Sequence, residues 1–269
     1  MKTIGTIIIA FFLCCNLAVA QDTLYVFKAG AVLYKQPVSN IDSVTFKKNT
    51  LATATVTDID GNVYHTVTIG TQTWMVENLK TTKYNNGQPI PLVTDNTAWF
   101  FLSTHGYCWY NNDAPTYKNK YGALYNWYTV NTGKLAPTGW HVPTDAEWTT
   151  MENYLIANGY NYDLSTQNDY LAKSLAATIY WDINTDVEGA IGNDLSTNNS
   201  TGFSALPAGS RGGYGGAFDS AGSLAAWWSS SEGDADTACE WSLYYSSSSL
   251  SRYFDNKYDG CSVRCVRDN

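Results

Sequence analysis

The chain has 269 residues and is acidic, with 16 Lys and Arg against 24 Asp and Glu and a net charge of −8. It has no basic run, and this balance does not suit a protein that binds nucleic acid or an anionic membrane surface. Twenty Tyr and ten Trp exclude a disordered chain, because such chains are poor in aromatic residues. The length allows one large β-rich domain or two smaller ones.

The first 20 residues have the pattern of a secretory signal peptide. Lys2 precedes an apolar run over residues 7–13, and Ala18-Val19-Ala20 is a small-x-small cleavage site. A lipoprotein signal is the alternative, but no small residue precedes Cys14. We expect a protein that is secreted or displayed at the cell surface. We expect no membrane insertion after cleavage, because no later segment reaches about 18 uncharged apolar residues.

Four cysteines follow the predicted signal peptide, namely Cys108, Cys239, Cys261 and Cys265. An even number of cysteines in an oxidising compartment predicts two disulfides, and four cysteines allow three pairings. The chain has no C-x-x-C motif and its three histidines are far apart, so a zinc site is not indicated.

Residues 21–52 form a short β unit and linker before the main domain at 53–269. Residues 23–27 and 31–34 are short β-prone runs that predict a hairpin, and Ile41–Phe46 predicts a third strand. About 30 residues cannot bury a core of their own, so we expect this unit to pack on another part of the protein.

The main domain combines a few helices with many short strands. Asp60-Gly61 predicts a tight turn between strands, and residues 66–70 and 72–75 continue the sheet. Apolar spacing predicts one helix over residues 121–130 and a second over 143–157. In the second helix, Thr144 and Glu147 form a capping box.

Residues 158–223 are rich in Gly, Ser and Asn, which predicts long ordered loops, and strands return after them. The predicted C-terminal strands cover residues 226–229, 240–245, 250–254 and 262–267. This pattern indicates an α+β fold with two helices, antiparallel strands and long loops.

Several motifs then occur in a characteristic order, among them Ile69–Met75, Tyr121–Trp127, Pro137–Trp148, Trp228–Glu232 and Ser262–Asp268. The chain resembles the Fibrobacter succinogenes major paralogous domain family over residues 56–268. The resemblance implies a C-type-lectin-like fold, which presents long loops and a late β-ribbon to a ligand. The region ending in Ile41–Phe46 is similar to N-terminal units of secreted proteins from Bacteroides-type bacteria.

The resemblance also bears on the cysteines. Residues 139–148 resemble a signature of the sulfatase-modifying (formylglycine-generating) branch of the same superfold, whose chemistry uses cysteines near the end of the chain. A structural role is the other interpretation, in which Cys239 pairs with Cys261 and Cys265 pairs with Cys108. In much of the family a cysteine stands where this chain has Ala136, which bears on the partner of Cys108.

Lectin-like folds often hold calcium, and two segments carry suitable oxygen ligands. Asp58-x-Asp60-Gly61-Asn62 lacks the third acidic position and the terminal Glu of a calcium loop, which favours a turn. A denser set of oxygen ligands, which could hold a structural Ca²⁺, consists of Asp182, Asp186, Glu188, Asn193 and Asp194. We assign no cofactor and no metal ligand to the chain, and a structural Ca²⁺ in this loop is the alternative.

The predicted binding surface is the C-terminal β-ribbon. Alternation places Trp241, Leu243 and Tyr245 on one face of a strand and Glu240, Ser242 and Tyr244 on the other. Tyr, Ser, Arg and Asn provide rigid aromatic area and adaptable hydrogen bonds, as in antibody loops. The predicted contacts are Tyr244, Ser246, Ser248, Arg252, Tyr253 and Asn256, joined by Arg211 and Tyr214. A plain solvated β face is the other interpretation.

These observations favour a non-enzymatic binding module for a glycan or a protein partner, with an enzyme on the same scaffold as the alternative. Trp99, Trp109, Trp227 and Trp228 could be stacking platforms, although core positions are favoured. Trp140 and Trp148 are predicted to anchor the second helix to the sheet.

Overall fold

The computed structural model describes residues 23–28, 31–37, 54–212 and 215–268. The chain divides between Leu51 and Ala52 into two compact units. In the first unit, β1 (Thr23–Lys28) and β2 (Ala31–Pro37) pair antiparallel, which confirms the predicted hairpin. The predicted third strand and the predicted signal peptide lie outside the described residues.

The second unit contains a five-stranded antiparallel sheet with the strand order β3-β4-β5-β14-β8. Its strands are β3 (Thr55–Thr57), β4 (Val63–Ile69), β5 (Gln72–Met75), β8 (Trp140–His141) and β14 (Val266–Arg267). The predicted Asp60-Gly61 turn joins β3 to β4, and Gly61 has a φ of +81° there. Val266, near the end of the chain, pairs with both Trp74 and His141. The last strand therefore completes a sheet that the first strands of the unit begin.

A second antiparallel sheet consists of β11 (Leu224–Glu232), β12 (Thr237–Tyr244) and β13 (Leu250–Asn256), in that spatial order. It has an apolar cluster on each of its faces. Trp227 and Trp241 belong to the cluster that contains Trp148, whereas Ala226 and Trp228 belong to another. Because successive residues of a strand point to opposite faces, β11 and β12 serve both clusters.

Short elements fill the remaining chain. The short strands are β6 (Tyr107–Cys108), β7 (Leu124–Tyr125), β9 (Ser210–Gly212) and β10 (Ala217–Asp219). The helices are α1 (Asn96–Phe100), α2 (Ala114–Tyr121), α3 (Trp127–Val130), α4 (Asp145–Ala157) and α5 (Ala172–Leu175). The fold is therefore α+β, with five helices in the described residues rather than the predicted two. No helix among these elements is long and apolar enough to cross a bilayer.

The two predicted helices had different outcomes. The second is confirmed as α4, and its capping box is present: the Thr144 hydroxyl accepts from the Glu147 N–H, and the Glu147 carboxylate accepts from the Thr144 N–H. The predicted helix over residues 121–130 is wrong. Gly122, with a φ of +79°, ends α2, and β7 separates it from α3, so the segment is not one helix. A Cβ at this position would lie 2.8 Å from the Leu79 carbonyl oxygen, which accounts for the glycine.

A buried polar cluster joins the two sheets. The Asn78 Oδ1 atom accepts hydrogen bonds from Trp227 Nε1 at 2.9 Å and from Arg264 Nη2 at 3.1 Å. The Asn78 Nδ2 atom donates to the Tyr121 carbonyl and to Ser262 Oγ. Burial lowers the pKa of Arg264 to about 9, which leaves the guanidinium charged at neutral pH. With Arg264 Nε, which donates to Asn78 Oδ1 at 3.3 Å, this single amide side chain serves five partner atoms in the interior.

The tryptophans are core residues. Trp99, Trp109, Trp148, Trp227 and Trp228 are buried, whereas Trp140 is partly buried. The Trp148 ring stacks on that of Trp241 with centroids 5.8 Å apart, and it also contacts the rings of Trp74, Phe203 and Trp227. It therefore joins α4 to both sheets.

The substitution Trp148→Ala should lower the free energy of unfolding by about 3–5 kcal/mol, because it leaves a cavity among four aromatic rings. Urea unfolding followed by circular dichroism measures this loss. Asn153→Ala, at an exposed position of the same helix, is the matched control and should change the unfolding free energy by less than about 0.5 kcal/mol. A loss in Trp148→Ala no larger than in the control would contradict the assignment.

Candidate functional site

β12 is the central strand of the β11–β12–β13 sheet, called the C-terminal sheet below. It does not have the exposed face that the sequence predicts. Glu240 and Ser242 are buried, and only Tyr244, at the end of the strand, is well exposed. β11 and β13 cover the two edges of β12, and an apolar cluster covers each face. Burial and the neighbouring Asp255 raise the pKa of Glu240 well above its usual value.

The exposed surface lies instead on the edge strand β13. After the buried Leu250, its next six residues are exposed or half-buried. Tyr253 is 57% exposed on one face of the strand and Phe254 is 50% exposed on the other. Tyr244, at 45%, adds a third exposed aromatic ring to the same sheet. Phe254 was not among the predicted contacts. It follows Tyr253 in the chain, and on an edge strand both faces can be exposed.

Arg252 holds this edge strand to helix α4. Its Nε and Nη2 atoms donate to the two carboxylate oxygens of Asp145 at 2.6 and 2.7 Å. Asp145 also accepts hydrogen bonds from Cys239 Sγ and Trp241 Nε1. Burial raises the pKa of Asp145, whereas these hydrogen bonds, chiefly the one from Arg252, lower it by a larger amount. The net shift of the pKa is therefore downward. Arg252 is therefore an anchor of the strand, and its charge is largely neutralised.

Two further carboxyl groups lie near this ion pair. Burial, together with the charges of Asp169 and Asp145, raises the pKa of Glu152 to about 7. Burial also raises the pKa of Asp169, whose Oδ1 accepts the Leu250 N–H at 3.2 Å. The side of β13 that faces α4 is consequently acidic, with one carboxyl half protonated near neutral pH.

The serine turn between β12 and β13 is attached to the preceding loop. Ser246 and Ser248 are half-buried, and the Ser248 carbonyl accepts the Ala172 N–H at 2.9 Å. Ser249 Oγ donates to the Asp169 carbonyl at 2.7 Å. Asn256 is exposed at the far end of β13. These predicted contacts therefore lie along one continuous segment, residues 244–256.

Arg211 does not belong to this surface. It is completely buried, and its guanidinium donates to the carbonyl oxygens of Gly216, Val93 and Thr94 and to Asn96 Oδ1. The guanidinium also lies between the rings of Trp99 and Phe218, at 4.6 and 4.4 Å from their centroids. Its role is to hold backbone segments together, so its prediction as a ligand contact was wrong. Tyr214 lies outside the described residues.

The predicted disulfides are also corrected, because Cys108, Cys239, Cys261 and Cys265 are buried free thiols. Cys239 Sγ donates to Asp145 on one face of the sheet, whereas Cys261 Sγ donates to Glu240 on the other face at 3.4 Å. Since Cys239 and Glu240 are neighbours in one strand, the sheet itself separates the two thiols. Cys108 and Cys265 likewise belong to different apolar clusters.

The environment of the thiols does not favour cysteine chemistry. Burial raises the pKa of Cys108 to about 12 and that of Cys239 to about 11, and it also raises the pKa values of Cys261 and Cys265. A nucleophilic or copper-binding cysteine acts as the thiolate, which a raised pKa disfavours. A side chain that could activate a thiol, Arg252, is already paired with Asp145.

In both segments considered for Ca²⁺, some of the oxygen atoms accept hydrogen bonds from other groups of the protein. The Asp58 carboxylate accepts from the Asp60 and Asn62 N–H groups and from the Tyr64 hydroxyl, so it holds the turn. In the loop with Asp182, Asp186, Glu188, Asn193 and Asp194, the ammonium group of Lys173 donates to the carbonyl oxygens of Ala190, Asn193 and Asp194. A side-chain cation already holds these carbonyl groups together.

The four thiols should not react with iodoacetamide in the folded protein and should all react once guanidinium unfolds it without reductant, since burial protects them. Peptide mapping by mass spectrometry identifies the alkylated cysteines, and a sample reduced before unfolding is the control. A peptide pair linked through Cys239 and Cys261 would contradict the free-thiol assignment.

Lys173→Met should lower the free energy of unfolding by about 1–3 kcal/mol, because three carbonyl groups lose their donor. Lys134→Met, at an exposed position, is the matched control. Calcium or EDTA should leave the melting temperature of the unmodified protein unchanged. A rise in melting temperature with calcium would instead restore the cation site.

The model of the Fibrobacter succinogenes major domain family matches residues 67–267, and the chain belongs to this family, as its motifs predicted. No curated protein and no solved structure matches the chain.

Proposed function

We propose that the protein is a secreted or surface-displayed binding module of C-type-lectin-like fold, and that β13 contacts its ligand. The family motifs and the α+β architecture support this fold. The observation that carries the binding role is the exposure of Tyr253 and Phe254 on opposite faces of one edge strand. Aromatic residues dominate the energetics of protein interfaces, and burying such rings on binding gives the largest gain per residue.

The backbone of β13 favours a protein ligand over a glycan. The Lys257 N–H donates to the Asp236 carbonyl, which continues the β12–β13 register. In an antiparallel ladder the inward-bonded residues alternate, so the backbone groups of Arg252 and Phe254 point away from β12. The Leu250 N–H follows the same alternation, because it donates outward to Asp169. An extended peptide segment could pair with this open edge.

The enzyme alternative, related to formylglycine-generating proteins, has less support. It requires an activated thiol near the end of the chain, and burial raises the pKa values of Cys261 and Cys265. The binding module requires only exposed, well-anchored surface, and the Arg252–Asp145 pair fixes the strand that carries it.

The first test is a screen of the purified protein on arrayed extracellular proteins and, in parallel, on arrayed glycans. For a protein that binds, Tyr253→Ala and Phe254→Ala should each weaken the affinity by about 5- to 150-fold, because each removes an aromatic contact. The melting temperature should stay nearly constant. Val63→Ala, which truncates an exposed apolar residue of β4 in the other sheet, is the matched control.

A proline substitution separates strand pairing from side-chain contact. Phe254→Pro removes an outward N–H, and proline is tolerated on an edge strand where that group faces solvent. If the ligand pairs with the edge, Phe254→Pro should weaken binding more than Phe254→Ala does. Equal losses would favour recognition by side chains alone, as for a glycan. Full affinity in Tyr253→Ala, Phe254→Ala and Phe254→Pro would place the site elsewhere.

A further inference from the structure

A pocket of about 410 Å³ lies between the loop before β6 and the end of α3. Its lining residues are Ser103, Thr104, His105, Tyr128, Asn131 and Thr132. None of them belongs to β12 or β13, so the pocket is separate from the exposed surface of β13. Its volume lies within the range of about 300–1,000 Å³ that is usual for small-molecule sites.

Buried polar side chains fix the two walls of the pocket to each other. Asn126 Nδ2 donates to the Thr104 carbonyl at 2.7 Å, and the Gly106 N–H donates to Asn126 Oδ1 and Thr129 Oγ1. Thr129 Oγ1 donates back to the Gly106 carbonyl at 3.0 Å. Asn126 and Thr129 are both completely buried. The pocket is therefore formed before any ligand arrives, which lowers the entropic cost of binding.

Five of the six residues that line the pocket can offer polar side-chain groups to a ligand. The Thr132 hydroxyl donates to the Thr129 carbonyl. The hydroxyls of Ser103, Thr104 and Tyr128, the Asn131 amide and the His105 ring nitrogens form no side-chain hydrogen bond with any residue that the structure describes. Hydroxyl and amide groups can both donate and accept, so this set matches a ligand that carries several hydroxyl groups.

The lining also indicates the charge of the ligand. It contains no carboxylate, ammonium or guanidinium group, so a charged ligand would lose hydration without gaining an ionic partner. The half-buried ring of Tyr128 offers an apolar surface to the C–H groups of a pyranose. We propose that this pocket binds a single neutral sugar residue, free or at the end of a glycan.

The test uses methyl glycosides of glucose, galactose, mannose and N-acetylglucosamine, with saturation-transfer NMR for detection and titration for affinity. At least one should bind with a dissociation constant of about 1 mM, the strength expected for a ligand of this size. Asn131→Ala and His105→Ala should each weaken that binding at least about ten-fold without lowering the melting temperature. Tyr128→Phe, which keeps the ring, should weaken it less than Tyr128→Ala.

The control variants separate this proposal from the one on β13. Tyr253→Ala should bind the sugar with unchanged affinity, and Asn131→Ala should bind a protein ligand with unchanged affinity. The proposal is overturned if none of the four glycosides binds at about 50 mM, well above the expected constant. It is also overturned if the pocket variants bind as well as the unmodified protein, or if glucuronate or glucosamine binds as tightly as the neutral sugars.

Discussion

The architecture of the main unit depends on the buried guanidinium group of Arg264. Within the described residues it forms no ion pair with a carboxylate. Arg264 lies in the core, where it donates to Asn78 Oδ1 and to the Phe203 carbonyl and stacks on the Phe203 ring. Burying such a charge is costly unless its donors are satisfied. The same Asn78 oxygen accepts from Trp227 of β11. The segment after β5, the C-terminal sheet and the end of the chain must therefore assemble together for any of these groups to be satisfied.

This assembly determines which parts of the C-terminal strands are exposed. Because apolar clusters cover both faces of β11 and β12, most of the β11–β12–β13 sheet is buried rather than exposed. The exposed surface is the outer edge, which is β13, together with loops fixed by buried hydrogen bonds, such as the one held by Asn126. The two proposals follow this division. The open edge with exposed rings suits a protein, and the neutral, hydroxyl-rich pocket suits a sugar.

Three arginines hold separate parts of the structure together. Arg211 and Arg264 are buried and hold backbone segments, while Arg252 is exposed but paired with Asp145 through two hydrogen bonds. Each guanidinium donates to several oxygens from a planar fork, so arginine suits these junctions better than lysine. As a result, the residues left to contact a ligand on β13 are mainly aromatic and polar. Binding there should depend on apolar burial more than on charge.

The sequence determined those features whose physical signal is local. The capping box of Thr144 and Glu147, the glycine turn at Gly61 and the alternating runs of the hairpins require only neighbouring residues, and the family motifs add their order along the chain. Only the tertiary structure decided the rest, because those features depend on what covers each strand. A Glu at an alternating position is expected to face solvent, yet Glu240 is buried, and burial together with Asp255 raises its pKa well above the usual value. Likewise, Cys239 and Cys261 stand before neighbouring strands in the sequence, and only the sheet between them shows that they cannot meet. Arg211 lies in a glycine-rich segment typical of a surface loop, but it is completely buried, and two of its carbonyl acceptors, those of Val93 and Thr94, come from residues more than a hundred positions away.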